Sequence, residues 1–143
     1  MTEHSFGEAY RLQVISLSPD QLLLDPKNPR IVLKTDRPTE YSNEELATPA
    51  IQNYILSVVD RSEFHVADLI AGIGRDGFLD HGNRLIVERV AGTSKFLVLE
   101  GNRRAAAIKH LLKQVDSLEP HVAKSLRSLP CEELIITDMN GFT

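Results

Sequence analysis

The sequence predicts one mixed α/β domain of the α+β kind, a small, mostly antiparallel sheet with flanking helices. Three observations predict it. Apolar residues at helical spacing fill the middle of the chain and a stretch after residue 102. β-rich runs stand near both ends and at 84–100, where the turn-like "AGTS" splits two of them. The 143 residues fit one domain, 1–143, with a real core.

The elements follow in order. Residues 1–9 read as a loose N-terminus. "RLQVISLS" places Leu12, Val14, Ile15 and Leu17 in loose alternation and predicts a strand. "LDPKNPR" carries Pro26 and Pro29 and predicts an extended loop, because proline disfavours helix at and before itself. "KTDRPTEYSN" is polar and turn-like. Ser42 and Glu45 have the spacing of a capping box. Thr48 then Pro49 fit N-cap and N1 of a helix through "AIQNYILSVV". Val66, Leu69, Ile70 and Ile73 recur at i, i+3, i+4, i+7 and predict another helix. "RLIVERV" (84–90) and "KFLVLE" (95–100) predict a hairpin. Helices at 103–115 and 119–127 and a strand at 132–138 complete the chain.

Composition excludes several function classes. Apolar residues make up 42% and charged residues 25%, ordinary for a globular domain. A net charge of −4 argues against a whole-surface nucleic-acid binder. The single Cys131 has no internal disulfide partner, which predicts a reducing, cytoplasmic setting. No apolar run approaches the roughly 20 residues of a membrane span, and "MTEHSFGEAY" has no signal-peptide pattern.

One stretch carries a conflict. In "VLEGNRRAAAIKHLL" (98–112), Gly101 permits a tight turn and Asn102 reads as the N-cap. Ile108, Leu111, Leu112 and Val115 then form an apolar stripe. Arg103 and Arg104 fall in the first turn, where the helix dipole costs each cation ~0.3–1 kcal/mol when exposed. A bound anion reverses that sign. Backbone amides and two guanidinium forks at one helix start make a phosphate site. The alternative is that both arginines are solvated or pair with Glu100 or Glu88. Glu100, at the strand end, could aim an oxygen at a phosphate-bound Mg²⁺ or serve as a base. It could equally pair with Arg103 or Arg104. Asp25 and Asp80 are weaker loop candidates.

The same stretch resembles the second box of the ParB/sulfiredoxin superfamily, a strand, then G-E-R-R, then a helix. "LDPKNPRI" (24–31) is similar to that family's opening N-P-x-x-P-R segment. "LIAGIGRDGFLDHGNRLIVERV" (69–90) resembles its first box, and "LPCEELI" (129–135) its closing strand. The order covers roughly 12–138. The resemblance implies a ParB/sulfiredoxin-like fold that binds a nucleoside triphosphate, CTP or ATP, with Mg²⁺. Gly101, Arg103 and Arg104 match the phosphate grip, Gly77 the first-box glycine and Arg30 the arginine closing the opening segment. Asp80 falls near the pocket. It implies a regulatory domain of a DNA-associated protein, with DNA contacted through segments outside these residues and a homodimer possible. The alternative within the family is an enzyme, hydrolysing a nucleoside triphosphate, transferring its phosphoryl group or cutting nucleic acid, with Glu100 as metal ligand or base. Asn102 departs from the family: partition proteins have Glu there and sulfiredoxin its cysteine, so reductase chemistry is not expected. "FLDHGN" replaces the usual Gln-Pro after the first-box glycine.

Competing motifs read as structure. "GIGRDG" (72–77) satisfies G-x-G-x-x-G, but it follows helical periodicity rather than a strand, so its glycines are expected to end a helix. The five histidines show no metal-ligand spacing, and His81 beside Asp80 reads as a polar turn residue. Cys131 reads as a small buried hydrophobe.

Overall fold

The computed structural model describes residues 8–28, 40–61, 65–78 and 84–138. Arg30, Asp80 and His81 therefore lie outside the described residues. The chain runs β1 (Glu8–Leu17), a 3-10 turn (Pro19–Gln21), β2 (Leu22–Leu23), α1 (Asn43–Leu46), α2 (Pro49–Val59) and α3 (Val66–Asp76). It continues through β3 (Leu85–Arg89), β4 (Phe96–Glu100), α4 (Asn102–Leu112), a 3-10 turn (Val115–Ser117), α5 (Pro120–Arg127) and β5 (Leu129–Asp138).

The five strands form one mixed sheet in the order β1-β5-β3-β4-β2. The antiparallel ladders, β1 with β5 and β3 with β4, are the longer ones. The parallel pairings, β3 with β5 and β2 with β4, are short. The class is the mixed α/β one that alternation and spacing predict.

Local signals explain most elements. The Ser42 hydroxyl accepts from the Glu45 amide at 3.1 Å, and the Glu45 carboxylate accepts from the Ser42 amide at 2.9 Å. The Ser42 amide, with the Ser42 hydroxyl, also holds the Glu45 carboxyl below its usual value. Pro49 sits in the first turn of α2, with Thr48 as its N-cap residue. The Thr48 hydroxyl does not cap; it donates backwards to the Glu45 carbonyl at 2.7 Å. β3 and β4 pair as the expected hairpin across residues 91–94.

The ends differ from the spacing. β5 begins at Leu129, three residues early, because Leu129–Cys131 pair with Ile15–Leu17 of β1. α4 stops at Leu112, and Val115 lies in the following 3-10 turn rather than on the helical stripe. β2 has no sequence signal: two residues gain a strand only because β4 lies alongside.

The core gathers on one sheet face. Leu85, Val87, Val98, Leu129 and Cys131 are fully buried there, against Ala105, Ala106, Ala107 and Ile108 of α4. The run of three alanines lets α4 lie close to its neighbours. Helices α3 and α4 pack most extensively. Gly74 sits at that contact, where an added methyl would stand 3.2 Å from the Leu111 side chain. Gly72 and Gly74 thus lie inside a helix, and Gly77 ends it with φ +83°. None follows a strand, so the geometry of a dinucleotide fingerprint is not formed.

Candidate functional site

The site grows from β4. The strand ends at Glu100, and the backbone reverses at Gly101 with φ +103° and ψ 23°. An L side chain rarely adopts that conformation. Space also requires glycine, since a Cβ there would clash with Cδ2 of the buried Leu85. Gly101 is itself the N-cap, and its carbonyl accepts the first helical bond from Ala105 at 2.9 Å. It has no side chain to cap with, so the first-turn amides of α4 receive no side-chain cap.

This corrects the reading of Asn102 as the N-cap. Asn102 is the first helical residue, and its side chain is buried beneath the turn. Its Oδ1 accepts from the Asp25 amide at 2.9 Å, and its Nδ2 donates to the Val98 carbonyl at 2.9 Å. The amide clasps the 22–25 segment to the β4–α4 unit. Gln52 of α2 holds the preceding residue: it accepts from the Leu24 amide at 2.8 Å and donates to the Leu24 carbonyl at 3.2 Å. Helical periodicity could not find Gln52, because a polar residue within an amphipathic helix reads as solvated. The "LDPKN" segment itself turns at Pro26, with the Asn28 amide bonded to the Asp25 carbonyl at 3.2 Å. The Asp25 carboxylate accepts from the Lys27 amide at 2.9 Å. Burial nevertheless raises the Asp25 carboxyl above its ordinary value.

Arg103 and Arg104 occupy the first turn, as the sequence predicts, and both are half-buried. Arg104 leans back over Gly101. Its Nη2 lies 3.0 Å from where a Gly101 Cβ would stand. Its Nη1 is buried and has no hydrogen-bond partner among the described residues. Burial lowers the affinity of Arg104 for its proton; the Glu100 charge works the other way, and Arg103 adds to the lowering. An arginine remains charged regardless.

Beside Arg104, a pocket of about 220 Å³ opens between the end of α3 and the start of α4. Asp68, Gly72, Asp76, Gly77, Phe78 and Arg104 contribute to its walls. Gly77 and Arg104, nearly thirty positions apart in the sequence, thus share one cavity. Ser125 of α5 buttresses the Gly77 corner: its hydroxyl accepts from the Phe78 amide at 3.1 Å and donates to the Val122 carbonyl at 2.7 Å. Asp76 is engaged by Arg75 at 2.9 Å. Glu100 is exposed at the end of β4 and is not part of the wall. Among the described residues, no group of three or more His, Cys, Asp or Glu could hold a metal ion.

Three other basic residues are engaged locally. Lys109 donates to the Pro19 carbonyl at 3.3 Å, and Lys95 to the Asp20 carbonyl at 2.7 Å. Arg89 lies over the Phe96 ring at 4.7 Å and pairs with Glu133 at 3.4 Å.

Cys131 is fully buried, and burial pushes its thiol up to about 11. A thiol in that state is a poor nucleophile. Alkylation of the native protein at pH 8 is therefore expected to proceed at the rate of chain opening and to become fast in denaturant. Rapid labelling of the folded chain, read by mass spectrometry, would contradict this. The same shift makes folding stability fall as pH rises from 9 towards 11, because the unfolded thiol ionises first.

No family model, curated protein or solved structure matches this chain.

Proposed function

We propose that the chain binds a nucleoside triphosphate, its phosphates gripped by the Gly101–Arg104 turn, and serves as a regulatory domain of a DNA-associated protein. The observation that carries the reading is Arg104, which lines an open pocket and whose buried Nη1 has no hydrogen-bond partner among the described residues. A buried charged donor without an acceptor costs on the order of 1–3 kcal/mol or more. A phosphate oxygen bonded to that guanidinium would remove the cost, and the helix start that carries Arg104 has uncapped amides that favour an anion. The nucleotide assignment and the DNA association rest on the resemblance of "GNRR" and its flanking boxes to ParB-type domains.

The carboxylates of the pocket favour a metal-bearing ligand. Asp68 and Asp76 share the wall with Arg104. A bare polyphosphate would face their repulsion, whereas a Mg²⁺ complex offers them a cation directly or through water. Binding is therefore expected to strengthen when Mg²⁺ is added. Glu100, exposed and outside the wall, supports the enzymatic alternative less well.

The test is calorimetric titration with CTP, ATP and inorganic triphosphate, with and without Mg²⁺. Arg104→Ala is expected to weaken binding about 10- to 100-fold, the loss of one charge-assisted contact of about 1.5–3 kcal/mol. Unaltered binding in Arg104→Ala would refute the proposed grip. Equal affinity for inorganic triphosphate and the nucleotides would reduce the site to a polyphosphate site.

A further inference from the structure

The geometry points to a second copy of this chain as the partner of strand β1. This inference stands apart from the phosphate-binding reading. β1 is an edge strand of ten residues, paired with β5 on one side, and no described strand pairs with its other side. Such an edge presents a row of backbone donors and acceptors to any extended chain. Proteins that keep an edge solitary use proline, lysine, bulges or short strands. "EAYRLQVISL" has no proline and no lysine, and its ladder with β5 runs without a bulge over all ten residues. The side chains add to the invitation. Tyr10, Leu12 and Val14 project on the face away from the core at 48%, 48% and 55% exposure.

The strand's own pattern selects the occupant. A two-fold dimer pairs an edge with itself, antiparallel, so the sequence must complement its own reverse. About Leu12 it does. Leu12 faces Leu12 of the other copy, Tyr10 faces Val14 and Arg11 faces Gln13. Apolar meets apolar, polar meets polar, and no like charges stand opposite. Moving the centre to Arg11 sets two arginines face to face. Moving it to Gln13 sets Arg11 against Ile15. Cross-strand apolar pairs stabilise and like charges destabilise, so the Leu12 register is favoured over its neighbours. The two sheets would then form one continuous ten-stranded sheet. Strand pairing alone falls at the small end of stable interfaces, below about 1,200 Å², so association at micromolar concentration is expected.

The full 143-residue chain is examined by light scattering across a dilution series reaching roughly 100 μM, the range expected for a weak interface. A twofold rise in mass is expected, abolished by Leu12→Lys, which sets two ammonium groups opposite one another. Melting curves check that the variant folds, and mixing it with Leu12→Glu is expected to restore the doubled mass. Cysteine scanning reads the register. Opposed residues in antiparallel strands lie about 4.5–5.5 Å apart at Cα, within disulfide reach. Leu12→Cys is expected to cross-link under mild oxidation. Val14→Cys alone is expected not to, but to do so when mixed with Tyr10→Cys. The buried Cys131 stays silent. A chain monomeric throughout the series, or a dimer lacking the Leu12 cross-link, overturns the inference. The second outcome would place the interface on another surface.

Discussion

Replacing Asn102 with alanine is expected to lower folding stability by about 2–4 kcal/mol, measured by urea denaturation. The estimate joins two lost hydrogen bonds with the burial of the groups they leave, the Asp25 amide and the Val98 carbonyl. The variant that separates a clasp from a cap is Asn102→Asp. At an N-cap, Asp and Asn perform alike. Here the carboxylate keeps the acceptor for Asp25 but has no donor for Val98, and it places a buried charge against a carbonyl. Asn102→Asp is therefore expected to be at least as damaging as alanine at pH 7. It should recover in part at acidic pH, where protonation restores a donor. Wild-type stability of Asn102→Asp at pH 7 would return this residue to a capping role.

Gly101→Ala is expected to cost about 3 kcal/mol, from two separable sources. The left-handed backbone, φ +103°, costs an L residue roughly 1–2 kcal/mol. The new methyl also clashes with Cδ2 of the fully buried Leu85, and overpacking of this kind costs about 1–3 kcal/mol. Leu85→Ala removes the clash but not the backbone strain. A double-mutant cycle should then show a favourable coupling of about 1 kcal/mol or more between the two substitutions. Additivity within about 0.5 kcal/mol would show that the clash contributes nothing. Because the methyl also stands 3.0 Å from Arg104 Nη2, Gly101→Ala should shift the guanidinium and weaken any phosphate binding along with stability.

The contrast between these two neighbouring residues shows how far the sequence could be read. Gly101 was legible because its requirement is local: a strand ends, a helix starts, and the backbone must reverse between them. The same holds for the Ser42–Glu45 box, for Pro49 opening α2, for the β3–β4 hairpin and for the two arginines of the first turn. Each signal lies within a few residues of what it specifies, and backbone sterics or a short hydrogen bond enforces it. Asn102 carried the same kind of signal, a favoured cap residue beside a helix start, and there the local rule lost. Glycine took the cap position, and the amide turned inward.

By itself, then, the sequence determined the class of fold, the starts of α1 and α2, the hairpin and the turn that presents Arg103 and Arg104. Tertiary structure alone decided that Gly77 and Arg104 share a pocket and that β5 lengthens to match β1. It also decided that Gln52 and Asn102 serve as clasps across 28 and 77 positions of chain. The physical reason is the obligation of buried backbone groups to find partners. Which side-chain amide answers which orphan N–H or carbonyl depends on what burial brings together, and that is written in no stretch of sequence short enough to be a motif.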